Sequence, residues 1–337
     1  MSNNIETLRR ICPTCEACCG LIMQVDRDEK KIVSIKGDPN DHRSKGYVCA
    51  KSQAFNYIYE DTERLRHPVK KTPDGWQEIS WDEALDTIAA KFSHIRDTHG
   101  KDALSIYVGN PLGHDFAAGV YLQALMTAIG TERFFSAGTV DQMPQQRVCW
   151  GLIGHEWLFP VPDLSRTDMF ICMGANPLVS QGSILGTPDV KGAMKGIQQR
   201  GGKCVVIDPR RTATAEAADQ HLFIKPGTDA YFLMAFANTV FERNDIRLEH
   251  LSDYIENVDG LRAAVANYTP ESTASLTGVP AETLRQLVTD YCAAEKAALY
   301  GRIGLCTQEF GLASHWMLMV ISLLTGNFDR EGGMMLA

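Results

Sequence analysis

The chain has 337 residues, 45% of them apolar and 22% charged, with a formal net charge of −8. That length holds two or three domains with buried cores, and the acidic balance speaks against nucleic acid as the main partner, because phosphate-binding surfaces need a basic excess. No apolar run reaches the roughly 18 residues of a membrane span, and Arg9-Arg10 is followed by no apolar segment, so the expected location is cytoplasmic.

Half of the ten cysteines, Cys12, Cys15, Cys18, Cys19 and Cys49, fall in the first 49 residues. Around them the pattern predicts a small β-rich unit, with strands over 21–25 and 31–35 and turns over 26–29 and 37–40. Such a hairpin folds Cys49 back beside the first cysteines. Ser80 and Glu83 then form a capping box, and Trp81, Leu85, Ile88, Phe92 and Ile95 mark one helical face. A strand over 104–108 ends at Gly109-Asn110-Pro111, and a helix over 116–129 follows.

The same order then recurs. A strand over 169–173 ends at Gly174-Ala175-Asn176-Pro177, and a helix over 190–199 follows. A strand over 203–207 ends at Asp208-Pro209-Arg210-Arg211, and one over 222–224 at Pro226-Gly227-Thr228-Asp229. Helices to 242, over 280–294 and over 314–324 complete the chain, with a glycine-punctuated turn over 301–304. Strands alternating with helices predict an α/β fold built on a mostly parallel sheet. Cys172 and Cys204 lie in strand-like runs and read as small buried apolar residues.

In an open parallel sheet, ligands bind at the carboxyl ends of the strands. Gly174 and Gly227 let a phosphate approach the backbone, Asp208 suits ribose hydroxyls, Arg210 or Arg211 suits phosphate, and Asp229 suits two N–H donors of a purine edge. Ordinary turn chemistry explains each of these turns alone; with Gly109-Asn110, four on one sheet edge describe a nucleotide site. No G-x-G-x-x-G follows a strand, so a plain dinucleotide fingerprint is absent. Cys12, Cys15 and Cys19 follow a C-x2-C-x3-C spacing, with 29 residues before the lone Cys49. Zinc sites usually pair their ligands, so three close thiols and one remote one suit an iron–sulfur cubane better; zinc and no metal stay open as rivals.

These residues resemble the molybdopterin oxidoreductases of the dimethyl sulfoxide reductase group, which include formate dehydrogenases and nitrate reductases. The likeness runs through the cysteine spacing, Gly37-Asp38-Pro39, Gly46-Tyr47-Val48-Cys49-Ala50-Lys51, Arg64-Leu65-Arg66-His67-Pro68 and Ile79 to Ala84. It continues in Gly174-Ala175-Asn176-Pro177, Val206-Ile207-Asp208-Pro209-Arg210, Pro226-Gly227-Thr228-Asp229, Leu324-Thr325-Gly326-Asn327 and Gly332-Gly333. The resemblance implies a [4Fe–4S] cluster on Cys12, Cys15, Cys19 and Cys49, and molybdenum or tungsten held by a bis-molybdopterin guanine dinucleotide. It implies one dinucleotide site on Gly174, Asn176, Asp208, Arg210, Pro226, Gly227 and Asp229, and places Lys51 between cluster and pterin.

The implied organisation is an iron–sulfur domain over 1–62, a first incomplete Rossmann-like α/β domain over 63–138 plus 296–337, and a second, dinucleotide-binding one over 139–295. The family's C-terminal β-barrel domain is absent, so the chain reads as a fragment or as one of two subunits. The family's metal-ligand loop here spans 139–151, with Gln145 at the ligand position. Asp141 and Cys149 are the chemically suitable substitutes, and His155 is a candidate proton relay. The expected reaction is a two-electron step on a small-molecule substrate, formate first, then nitrate or another oxyanion, with an electron-transfer partner protein. The rivals are a non-catalytic iron–sulfur electron-transfer module and a zinc-stabilised nucleotide-binding protein.

Overall fold

The computed structural model describes residues 4–15, 17–179 and 184–336, and the chain divides into two compact units, Met1–Ala137 and Gly138–Ala337. No helix among the described residues is long and apolar enough to cross a membrane.

The first unit opens with an antiparallel sheet of β1 (Ile5–Ile11), β2 (Gly20–Asp26) and β3 (Lys31–Gly37), in that order. β1 was not evident in the sequence, because as an edge strand it buries none of its side chains fully and so carries no apolar signature. The β2–β3 hairpin turns where the Asp26 carboxylate accepts the N–H groups of Asp28 and Glu29, each at 3.0 Å. Two short helices follow, α1 (Ala50–Gln53) and α2 (Phe55–Glu60), then a hairpin of β4 (Val69–Thr72) and β5 (Gly75–Glu78). α3 (Trp81–His99) starts as expected: Ser80 Oγ accepts the Glu83 N–H at 3.1 Å. Its apolar face stays open, with Trp81, Leu85, Ile88 and Phe92 all exposed. β6 (Ile106–Val108), α4 (Phe116–Ile129) and β7 (Phe134–Ser136) then form one β-α-β unit with a two-stranded parallel sheet.

The second unit begins with α5 (Gly138–Asp141) and α6 (Met143–Ile153), followed by β8 (Pro160–Pro162). Its centre is a four-stranded parallel sheet of β9 (Met169–Met173), β10 (Lys203–Ile207), β11 (Gln220–Leu222) and β12 (Ala297–Gly301), in the order β11-β10-β9-β12. Around it lie α7 (Val190–Gln199), α8 (Ala213–Ala217), α9 (Asp229–Glu242), α10 (Val258–Val265), α11 (Pro270–Thr277), α12 (Ala281–Ala293), α13 (Ile303–Cys306) and α14 (Gly311–Leu324). β13 (Met334–Leu336) pairs antiparallel with β8. The sheet is buried on both faces, as expected where helices cover both sides. Met169, Ile171, Met173, Val205, Ile207 and Leu299 join one core with α9, α12 and α14. Phe170, Cys172, Cys204, Val206, Ala298 and Tyr300 join the other with α6 and α7. Cys172 and Cys204 are thus core residues, and burial pushes both thiols up.

Two expectations need correction. The expected grouping of 296–337 with 63–138 differs from the pairing: β12 is the parallel partner of β9, in register Ala297 to Met169, and the chain divides after Ala137. The reason is local: Leu299-Tyr300 is too short a run to announce its sheet, and pairing alone decides it. β11 also begins earlier than 222–224, since Phe223 already faces solvent.

The central core sets the stability. Phe236 packs edge-on to Tyr291 at 5.3 Å between ring centroids, both buried. Phe236→Ala should cost about 3–5 kcal/mol in denaturant unfolding, while Phe92→Ala on the open face of α3 should cost less than about 1 kcal/mol.

Candidate cofactor-binding sites

In the first unit the cysteine loop joins β1 to β2. Cys12 N–H donates to the Cys19 carbonyl at 2.9 Å and Cys18 N–H to the Cys15 carbonyl at 3.1 Å, so the loop is a tight backbone turn. Cys12, Cys15 and Cys19 are buried around Ala17 and Leu21; Glu16 lies outside the described residues. Cys18 takes a left-handed conformation (φ 46°) and its thiol donates back to the Cys15 carbonyl, which sets it apart from the other three.

Cys49 reaches this loop through the turn after β3. A Cβ on Gly37 would lie 2.0 Å from the Gly46 carbonyl oxygen, so only glycine allows this approach. Gly46 itself has φ 86°. Asp38 N–H donates to the Gly20 carbonyl at 2.9 Å, and the Asp41 carboxylate accepts from Ser44 N–H and the Ser44 hydroxyl. Those two Ser44 bonds hold the Asp41 carboxyl below the usual carboxylate range. The result brings Cys49, at the N-cap of α1, to the buried Ser52 hydroxyl, 3.9 Å from Cys49 Sγ and 3.6 Å from Cys12 Sγ. All four thiols are free of disulfides. Among the described residues no three Cys, His, Asp or Glu groups converge as a single metal ion requires. A cubane takes one thiolate on each iron, and Cys12, Cys15, Cys19 and Cys49 are the four thiols that would supply it. Lys51 sits exposed on α1.

In the second unit the strand ends carry the chemistry. The sheet order reverses direction at β9, with β10 on one side and β12 on the other. This is the switch point where an open α/β sheet leaves a crevice. Gly174, just past β9, has φ 57°, and its carbonyl accepts the Gly304 N–H at 2.9 Å. A Cβ on Gly304 would meet Gly174 Cα at 2.7 Å. Asn176 Oδ1 accepts the Thr214 hydroxyl at 2.6 Å, which ties this loop to α8. Asp208 caps its own turn by accepting the Arg210 N–H at 2.8 Å, and Arg210 and Pro226 are exposed on the same edge. Gly227, with φ 82°, lets the chain turn into α9.

Asp229 opens α9 and is 6% exposed. Burial first, and then the nearby Asp208 charge, push its carboxyl above the ordinary range, against a hydrogen bond from Gln308 that lowers it. That bond runs from Gln308 Nε2 to Asp229 Oδ2 at 2.7 Å. Gln308 Oε1 is buried with no hydrogen-bond partner among the described residues. An acceptor left over beside a carboxylate suits a ligand edge with several N–H donors, as the purine assignment requires.

The remaining assignments fare differently. Cys149 is 0% exposed on the inner side of α6, and burial pushes its thiol up to about 11, so it is a core residue and not an available ligand. His155 is exposed and its Nδ1 accepts the Trp157 N–H at 3.2 Å, which makes it a turn residue outside the strand-end edge. Asp141 is half-buried at the end of α5. The family motif at Asn327 is structural: its Oδ1 accepts the Ala297 N–H at 3.1 Å, at the far end of β12. The sequence pattern does not mark Gln308, because it follows β12, whose place in the sheet only the pairing discloses.

A buried carboxylate with a raised native pKa loses stability as pH climbs through that value, since the charged form is the one burial penalises. Asp229→Asn should therefore melt higher than the parent chain near pH 7, and the gap should shrink as pH falls below the native value. A gap that is constant with pH in thermal melts would remove the assigned cause.

Comparison with known proteins places these sites in a family. Residues 64–336 match the molybdopterin oxidoreductase model, and residues 6–60 match the molybdopterin oxidoreductase Fe4S4 domain. Formate dehydrogenase H of Escherichia coli is 27% identical over 95% of this chain and 44% of its own length. The F420-dependent formate dehydrogenase 2 subunit alpha of Methanococcus maripaludis is 27% identical over 97% of this chain and 47% of its own. The chain thus spans less than half the length of these relatives. Acetylene hydratase from Pelobacter acetylenicus shares the fold, with a TM-score of 0.80 at 22% identity over 97% of this chain and 44% of its own. With both family models matched along nearly its whole length, the chain belongs to the molybdopterin oxidoreductases, whose cofactors are a [4Fe–4S] cluster and a molybdenum or tungsten molybdopterin.

Proposed function

We propose that this chain is the cofactor-binding part of a two-electron oxidoreductase for a small substrate, with formate favoured. The observation that carries this reading is that one chain holds both a buried loop of Cys12, Cys15 and Cys19, with Cys49 reaching the same Ser52 hydroxyl as Cys12, and a strand-end edge that presents Gly174, Asp208, Asp229 and Gln308. When bound, a metal bis-molybdopterin guanine dinucleotide supplies two-electron chemistry and the cluster supplies one-electron transfer. Cys12, Cys15, Cys19 and Cys49 would hold the cluster. Gly174 gives the phosphates backbone access, Asp208 accepts from ribose, and Asp229 accepts from the guanine N–H groups beside Gln308. Arg210 would neutralise phosphate. Lys51, by its place two residues after Cys49, is assigned to electron passage from pterin to cluster. An electron-accepting partner protein completes the reaction.

Formate is favoured because the formate dehydrogenases named above match nearly the whole chain. One observation favours a second reading, a non-catalytic electron-transfer module. Cys149 is locked in the core, and Gln145, at the family's ligand position, already has its side-chain oxygen bonded to Arg302. Reduction of nitrate or another oxyanion stays within the first reading.

Metal content of protein purified without oxygen tests both. The first reading expects about four irons per chain together with molybdenum or tungsten; iron alone would favour the electron-transfer module, and zinc alone would defeat both. Cys49→Ala should lose the iron and its visible absorption, whereas Cys18→Ala should keep them. Equal loss in the two variants would overturn the ligand assignment.

A further inference from the structure

Ser52, on α1, is 1% exposed, and among the described residues its hydroxyl has two partners, both sulfur: Cys12 Sγ at 3.6 Å and Cys49 Sγ at 3.9 Å. A buried hydroxyl has to find a hydrogen-bond partner, and here sulfur takes that place. The placement follows from the helix. Cys49 caps α1 and Ser52 comes three residues later, which puts the two on one side of the first turn. Thr14, half-buried within the cysteine loop, brings a second hydroxyl to the same sulfur, with Oγ1 3.0 Å from Cys12 Sγ.

The direction of these bonds depends on what the sulfur holds. A free thiol can give its proton to a hydroxyl or accept one from it. A sulfur bound to iron is a thiolate. It has no proton to give, so each hydroxyl donates to it. Ser52 has a single proton to offer, and Cys12 is the nearer of its two sulfurs. Reduction of an iron–sulfur cluster adds one negative charge, part of which the thiolates share. A donor to the sulfur holds the more negative state more tightly, and hydrogen bonds to the sulfurs are among the levers that set the potential of such a cluster.

We propose that Ser52 and Thr14 tune the reduction potential of the iron–sulfur cluster, by donating their hydroxyls to the Cys12 thiolate and, from Ser52, to that of Cys49, which makes the cluster easier to reduce. The inference deepens the reading above and rests on its four-thiolate cluster. It concerns the electron exit and not the substrate. Neither residue holds iron; both act through the sulfurs that do.

The test is a dye-mediated redox titration of the full chain, purified without oxygen and with its own iron, followed by the electron paramagnetic resonance of the reduced cluster. Ser52→Ala should keep the iron content of the parent and lower the equilibrium constant for reduction about tenfold, which for one electron is a potential about 59 mV more negative. Thr14→Val, similar in shape, should shift it in the same direction, and it keeps the idea open to refutation if Ser52→Ala fails to fold. Ser52→Thr retains the hydroxyl and should titrate close to the parent; a shift as large as that of Ser52→Ala overturns the proposal. So does a potential in Ser52→Ala or Thr14→Val equal to or above that of the parent. Loss of iron from either variant also overturns it, because the hydroxyls would then be supports of the loop. A parent cluster that dithionite leaves oxidised has the same consequence. Parent protein without iron is the separate failure of the cluster reading, and it takes this inference with it.

Discussion

The second unit depends on one backbone contact at the carboxyl edge of its sheet. Gly174 follows β9, Gly304 follows β12, and the N–H of the latter meets the carbonyl of the former at 2.9 Å. No side chain fits between them, since a Cβ on either glycine would collide with the opposite loop. The contact closes the strand-end edge at the point where the sheet order reverses. It thereby fixes where the loops bearing Arg302 and Gln308 stand relative to those bearing Asn176 and Asp208. The two cores beneath it, one on each sheet face, hold that edge rigid, as a preorganised site requires.

On this edge the electrostatics are costly and therefore informative. Among the described residues, the buried Asp229 carboxylate accepts from the Gln308 amide, and the buried Arg302 guanidinium donates to the Gln145 amide oxygen. Pairing the two charges with each other would have cancelled much of the burial cost; the fold instead gives each a glutamine. A neutral amide orients a charged group without neutralising it. The Asp229 end of the edge thus suits N–H donors.

The first unit solves a different problem, bringing Cys49 to the Ser52 hydroxyl beside the loop of Cys12, Cys15 and Cys19. A glycine pair again makes it possible, Gly37 against Gly46, and the Asp41–Ser44 clamp holds the second loop beside Gly20. The three-stranded antiparallel sheet supplies the frame. The apolar face of α3 shows the limit of pattern reading: its period correctly announces a helix, yet Trp81 and Leu85 remain exposed. Periodicity reports which side of a helix is apolar and says nothing of what covers it.

Several features were legible in the residues themselves, because each rests on local chemistry. The cysteine spacing, the Ser80 capping box, the Asp26 turn and the strands over 169–173 and 203–207 are examples. So was the strand-end placement of Gly174, Asp208 and Asp229, since α/β alternation puts loops at the carboxyl edge. The resemblance added the cofactors, which spacing alone left open between cluster, zinc and nothing. What only the tertiary structure decided is pairing and burial. β12 joins β9 across more than a hundred residues of chain, and that long-range ladder brings Gln308 beside Asp229. Burial turned Cys149 from a candidate ligand into core and left His155 in a surface turn. Residue type tells what a side chain can do; solvent access and neighbours, which a linear pattern does not encode, decide whether it does.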